Sequence, residues 1–452
     1  MQELFELTAG LAFAVPLGLA LPLLVWLAYG RMTVGLVIVL ATFFMEVVYV
    51  EYPGFWVGLY IYPSDLVFAF LAVTAVLRLL FAHNFPGRSA SWLLFGALIA
   101  ASFVVGLMQF GKASGTDFRN YFYVWVCALY FMSFPIDAAQ TKSILRTWLA
   151  FAGLLLALAC LRGFAEFAGM PIADSWRGTG SAAAFRVLPA GAALYLLDTL
   201  VILTYVITSR SANRWMWAAV PVLLVAVLVL QHRSVWIAAA AAIATLYLVF
   251  PGQVRLRLAR PLAAGALIVA VVGGGLIGYG KLDTLTYRVT ESAAKVTDEK
   301  GTAGGRIYGW QQLLMQLEPE EYVTGKPFGS GYERYDFPDV RWKATYDPHN
   351  FYLQTLLRTG IPGLALLLGV YLITLRRLLR GKGGPTLPDF PPRLIFVLLV
   401  AQMAITVAYR LPYEQAIWIG IAISMAASLA RASRAEVAGV AAAPPRAEAQ
   451  PS

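Results

Sequence analysis

Residues 187–208 read VLPAGAALYLLDTLVILTYVIT, 22 positions with Asp198 as the one charged side chain. A helix needs roughly 20 apolar residues to cross about 30 Å of hydrocarbon, because each residue rises about 1.5 Å. A spanning helix also satisfies its backbone polar groups internally, which lipid cannot do for it. Comparable windows lie near 8–29, 32–50, 64–82, 91–109, 117–135, 143–162, 214–231, 234–251, 262–280, 356–376, 392–409 and 413–430. Together they make 13 candidate spans. The first two and last two are the least sharply bounded, so 12 is equally acceptable. The expected fold class is an all-α polytopic membrane protein with one sizeable hydrated loop segment that contains short amphipathic helices.

The totals agree. Of 452 residues, 59% are hydrophobic and 13% charged, with mean hydropathy +0.68. A soluble domain carries about a quarter charged residues. These values exclude a soluble enzyme, a disordered chain and a nucleic-acid-binding module. The net charge of +10 fits an excess of Lys and Arg on cytoplasmic loops. Cys127 and Cys160 both sit in apolar runs, so neither a disulfide framework nor a metal cluster is expected. The N-terminal MQELFELTAG lacks a basic n-region, and the first apolar run is expected to stay as a span.

Basic residues set the orientation. Arg210 and Arg214; Arg255, Arg257 and Arg260; Arg376, Arg377, Arg380 and Lys382; Arg393; and Arg431 and Arg434 all fall on one side of the alternation, which is therefore cytoplasmic. The opposite side carries 51–63, 110–118, 163–186, the turn at 231–234, and 281–350. That last segment holds 20 charged residues in 70, against 40 in the other 382. A hydrated loop of this length is usually functional or disordered. Within it, Ile307, Trp310, Leu313, Leu314 and Leu317 recur at helical spacing. The plain reading is an amphipathic helix resting on the membrane surface with Trp310 at the interface. The Ala/Pro-rich tail from 431 is expected to be disordered.

Two features carry chemistry. The first is Asp347-Pro348-His349-Asn350-Phe351-Tyr352-Leu353. Asp347 as N-cap and Pro348 at the first helical position would place His349 in the first turn of a helix. The helix's positive end disfavours the protonated imidazole, so His349 can serve as a general base; alternatively it merely hydrogen-bonds a loop. Downstream, Gly360-Ile361-Pro362-Gly363 interrupts the helix, and broken helices at membrane depth tend to line cavities. The second is arginine on the non-cytoplasmic side: Arg186, Arg233 and Arg306. Such arginines are costly near hydrocarbon unless paired or ligated, and the planar fork suits phosphate and pyrophosphate oxygens. Snorkelling to headgroups is the alternative for any single one. Asp198 and Glu46, within spans, are expected to pair structurally, with an arginine as the natural partner. No HExxH, Walker loop, GxSxG or early outward DxD motif occurs, so a metal site is not indicated.

The stretch 347–363, DPHNFYLQTLLRTGIPG, resembles the His-Asn…Leu…Gly-Ile-Pro-Gly signature of the bacterial O-antigen ligase and polymerase superfamily. Gly305-Arg306 with Trp310, Lys326-Pro327-Phe328-Gly329-Ser330-Gly331, and QHRSVW at 231–236 are similar to it as well. The resemblance covers roughly 186–376; the first six spans match only in hydropathy. One departure is Arg358-Thr359, where an acidic residue is common.

The resemblance implies a GT-C-like membrane glycosyltransferase of the bacterial inner membrane, metal-independent, inverting and without a cofactor, with its active site facing the periplasm. The donor would be a glycan on undecaprenyl pyrophosphate and the acceptor lipid A–core, as in O-antigen ligase. His349 would take the acceptor proton, and Arg186, Arg233 and Arg306 would bind the pyrophosphate. Asp347, Asn350 and Trp310 would support them. A polymerase, with a second lipid-linked glycan as acceptor, is the alternative; a lipid-linked glycan transporter is a more distant one. The expected organisation is N-terminal spans 1–185, central spans 186–280, a periplasmic catalytic loop 281–355, C-terminal spans 356–430 and a cytoplasmic tail 431–452.

Overall fold

The computed structural model describes residues 22–49, 54–56, 60–82, 90–168, 170, 187–209, 214–230, 232–278, 302–336, 341–343, 348–380 and 391–442. Arg186, Asp347, most of the window 8–29 and the tail from 443 lie outside them. The described chain is a helix bundle with two small antiparallel hairpins. In order come α1 (Pro22–Gly30) and α2 (Met32–Val48), then hairpin β1–β2 (Phe55–Trp56, Tyr60–Ile61). Next are α3 (Pro63–Phe81), α4 (Ala90–Phe110), α5 (Lys112–Met132), α6 (Ala138–Phe167), α7 (Ala190–Ser209), α8 (Arg214–Val229), α9 (Arg233–Val249) and α10 (Gly252–Gly278). The charged segment supplies α11 (Thr302–Met315), α12 (Pro319–Thr324) and hairpin β3–β4 (Arg334–Asp336, Arg341–Lys343). The chain closes with α13 (Phe351–Arg380), α14 (Pro392–Thr406) and α15 (Ala416–Ala442).

Five helices, α3, α4, α6, α7 and α13, are long and apolar enough to cross a membrane. The bent pair α1–α2 makes a sixth if counted as one broken span. Three others, in α8, α9 and α14, are apolar but shorter. The chain is thus a multi-pass, all-α membrane protein. The windows 8–29 and 32–50 meet at Arg31 in a 117° bend.

Burial separates the spans into inner and peripheral ones. The window of α7 is 83% buried and that of α4 only 22%, so α7 is enclosed by protein while α4 offers most of its surface outward. Around α7 pack α6, α8, α9 and α10, and α5 is flanked by α3, α4 and α15. Aromatic side chains lock the centre. Trp148 of α6 stacks on Tyr195 of α7 at 3.9 Å and meets Trp418 of α15 at 4.4 Å. The Trp148 indole donates to Thr199 Oγ1 at 3.0 Å, and the Tyr195 hydroxyl donates back to the Trp148 carbonyl at 3.0 Å. A buried polar handle on an aromatic ring needs such a partner.

Among the described residues, the hydrogen-bonding groups beside the intramembrane acids are uncharged rather than the expected arginines. Glu46 accepts from the Tyr413 hydroxyl at 2.9 Å. Asp198 is fully buried and faces Gln415 and Trp418 rather than an arginine. Two buried arginines, Arg78 and Arg162, bind backbone carbonyls. Arg162 reaches Val47 and Val48 at 2.8 and 2.9 Å and Val187 at 3.2 Å. Arg78 holds Tyr29 O and both oxygens of Ser133, with its guanidinium over Phe134 at 3.5 Å. Helix ends leave carbonyls without intrahelical donors, and a guanidinium has five donors in a fixed fork. Each arginine therefore ties helix ends from different parts of the chain, Arg78 at the end of the bundle where α2 begins and Arg162 at the end where α2 finishes.

Candidate functional site

The site assembles at the end of the bundle opposite Arg78, around the start of α13. The helix begins at Phe351, not earlier. Asn350 is its cap: Oδ1 accepts the Leu353 N–H at 3.0 Å. This corrects the expectation that Asp347 caps and Pro348 opens the helix. His349 consequently stands just before the cap, exposed, rather than in the first turn. Its φ of 48° is the left-handed region, and among the described non-glycine residues only His349 adopts it. That conformation costs of order 1–3 kcal/mol and persists only where neighbours enforce it. The neighbours are on either side: Asn350 is fixed by the cap, and the Pro348 carbonyl accepts from the Trp310 indole at 2.7 Å. Asn350→Ala is expected to cost about 1 kcal/mol of stability, read by thermal unfolding in detergent, while Asn350→Asp, another good cap, should stay within a few tenths of wild type.

Helix α11 carries both Trp310 and Arg306. They are four residues apart, on one face and about 6 Å along the axis. Arg306 Nη1 donates to Ala408 O at 2.9 Å and the guanidinium lies 5.2 Å from the Tyr409 ring centroid. The apolar face of α11 does not rest on a membrane surface. Leu313 and Leu317 are buried with Tyr332, Leu353 and Leu357, and Trp310, Leu314 and Tyr322 pack against them. Only Ile307, Tyr308 and Met315 are left largely exposed among its large apolar residues. Leu313 and Leu317 are thus buried against Leu353 and Leu357 of α13, and that burial removes apolar area from water without a lipid surface.

The connection 407–415 is where the elements meet. Besides Arg306 at Ala408, Asn120 of α5 donates to Leu411 O at 3.2 Å, and Tyr413 reaches Glu46. Gly191, in the first turn of α7, has no room for a Cβ beside Glu414 Oε1, which would lie 2.8 Å away. Arg233 opens α9 directly after His232, whose Nε2 is 2.8 Å from Leu188 O. The first turn of α9 and residue 188, two positions after Arg186, are thereby joined. Helix α9 packs along α14, whose C-terminal end leads into the same connection. A direct contact therefore joins Trp310 to Pro348 beside His349, Arg306 lies one turn away on the same helix and is tied to Ala408 and Tyr409, and Arg233 stands at the same end on a neighbouring helix.

The family model for O-antigen ligase matches residues 218–368. That segment belongs to the O-antigen ligase and polymerase superfamily. No curated protein matches the chain. The O-antigen ligase segment contains Arg233, Arg306, Trp310, His349 and Asn350; Arg186 lies upstream of it. It runs from within α8 to the middle of α13 and so spans the helices that build the site.

The window 117–135 predicts a span here, but no residue of α5, which lies outside the O-antigen ligase segment, is expected in the site from the sequence. Its first turns, Asp117-Phe118-Arg119-Asn120-Tyr121-Phe122-Tyr123, touch nearly every other part of the site. Tyr121 stacks on Phe351 with ring centroids 5.4 Å apart and meets Phe328 at 5.3 Å. Tyr123 donates to Asp65 Oδ1 at 2.6 Å, and Arg119 Nε pairs with the same oxygen at 2.8 Å. The available signal was an acid, an arginine and an amide within four positions at the start of an otherwise apolar window.

Proposed function

We propose that this chain is a GT-C-like inner-membrane glycosyltransferase of the O-antigen ligase type. It would move a polysaccharide from undecaprenyl pyrophosphate to lipid A–core at the periplasmic face. The observation that carries the reading is the placement of His349. His349 is exposed, its backbone fixed by the Trp310 bond to Pro348 O on one side and the Asn350 cap on the other, and it shares one end of the bundle with Arg306 and Arg233.

In this reaction the acceptor hydroxyl loses its proton to His349 as its oxygen attacks the anomeric carbon. The bond from that carbon to the pyrophosphate oxygen breaks, with inversion. Arg186, Arg233 and Arg306 meet the charge that develops on the leaving pyrophosphate, and fixed donors there lower the barrier because they need not reorganise. A lipid pyrophosphate is already an activated leaving group, so nucleotide and metal play no part in the scheme. In this organisation 1–185 and 356–430 are the spanning scaffold, 186–280 brings two arginines, and 281–355 is the catalytic loop. The basic clusters at the opposite ends of the spans then face the cytoplasm.

The test uses purified protein, a lipid-pyrophosphate-linked glycan and lipid A–core, without added metal or nucleotide. Glycan appearing on lipid A–core supports the ligase. Longer lipid-linked chains with unmodified lipid A–core assign the polymerase. Absence of either product from an authentic substrate pair removes the transferase reading.

A further inference from the structure

The last turn of the short helix that follows His349 is fastened by a set of contacts that neither the family match nor the proposed chemistry assigns. Gly360, with φ 65° and ψ −171°, breaks α13, so residues 351–359 form a separate segment of about two and a half turns. Its end carries Arg358. The guanidinium pairs with Asp117 Oδ2 of α5 at 2.5 Å, with side-chain exposures of 3% and 20%. It also donates to Pro327 O at 2.9 Å and Ser330 Oγ at 2.6 Å, and lies 4.1 Å from the Tyr332 ring centroid.

The other partners close the same knot. Asp117 Oδ2 accepts the Gly329 N–H at 3.1 Å. Ser114 Oγ donates to Phe328 O at 2.8 Å, and Lys326 N–H to Leu357 O at 2.7 Å. Ser102 Oγ donates to Arg358 O at 2.7 Å. That carbonyl would otherwise look to residue 362, which is proline and has no N–H. Backbone approach is so close that a Cβ on Gly106 would sit 2.2 Å from Phe328 O. Turn 326–331 is thus held among α4, α5 and the end of the short helix.

We propose that Arg358, with Asp117, is the positioning pair of the site. It sets the angle of helix 351–359, and through it the place of His349, by locking that helix to turn 326–331 and to α5. This rests on the proposed transferase reading, in which His349 must meet an acceptor hydroxyl. The break at Gly360 uncouples the short helix from the rest of α13, so contacts at its end, not the continuing span, fix its direction. The acid that pairs with Arg358 comes from α5, as Asp117.

The test compares Arg358→Gln, Asp117→Asn and Arg358→Lys in full-length protein whose thermal unfolding stays cooperative. Misplacing a reacting group by about 1 Å costs roughly 100-fold. Arg358→Gln is expected to lose about that factor in kcat with the donor KM within about 2-fold. Arg358→Lys, which keeps the charge, should recover most of the loss. A second readout needs no activity: Ser330→Cys in a Cys160→Ser background, labelled by a water-soluble maleimide. Labelling should be slow with Arg358 present and much faster with Gln there. Should Arg358→Gln not fold, Ser330→Ala with Arg358→Lys replaces it, with a kcat loss at unchanged donor KM expected. Wild-type kcat in the folded variant, or a loss confined to KM, overturns the positioning role. Slow labelling with either side chain overturns the lock. If wild type transfers no glycan yet labelling responds to Arg358, the transferase reading has failed and the lock stands.

Discussion

His349→Asn is expected to reduce glycan transfer by about 10²- to 10⁴-fold, the usual contribution of a positioned general base. Asparagine is the informative replacement. His349 holds φ 48°, and asparagine tolerates the left-handed region better than most side chains. His349→Ala would remove the imidazole but also strain the backbone next to the Asn350 cap, so a loss there would have two causes. In His349→Asn the cap, the Trp310–Pro348 hydrogen bond and the start of α13 should all persist. Unfolding temperature and binding of a fluorescent lipid-pyrophosphate donor should therefore match wild type. Transfer measured on a gel with His349→Asn near the wild-type rate would end the assignment of this residue as base.

The second large effect concerns Gly360. Its φ and ψ lie in a region open essentially to glycine alone, and a Cβ there would stand 2.0 Å from Val323 O, a backbone atom that cannot swing away. Gly360→Ala is expected to destabilise the protein by about 3 kcal/mol or more and to abolish transfer. Gly369, in the same helix, is the control, because a Cβ there meets nothing within 4 Å. Gly369→Ala should be neutral or stabilising by about 0.5–1 kcal/mol. Thermal unfolding of the two variants in one detergent decides it; equal stabilities would mean that the break at 360 is not required.

Much of this was legible in the sequence. Apolar window length gave the class of fold, and helical spacing gave α11. The Gly-Ile-Pro-Gly stretch gave the broken helix, since neither glycine nor proline sustains regular hydrogen bonding there. Local rules failed where a distant partner decided the outcome. Asp347-Pro348 is a good helix start by itself, yet Trp310, 38 residues away, takes the Pro348 carbonyl, and Asn350 caps instead. The apolar face of α11 could equally have met lipid; Leu353 and Leu357 of α13 claim it. Asp117 offered no clue to its partner, because it pairs with Arg358 across 241 positions of chain.

The seating of turn 326–331 bears on how chimaeras should be cut. The segment that matches the family starts at 218, and it invites transplantation between relatives as a unit. It makes close polar contacts, though, with Ser102, Ser114 and Asp117, more than 100 residues before that boundary. A graft of 218–368 onto a foreign N-terminal half would bury Arg358 without its acid and press Phe328 against whatever replaces Gly106. Interchangeable parts here are not contiguous in sequence: a working exchange has to carry 102–121 along with 302–363.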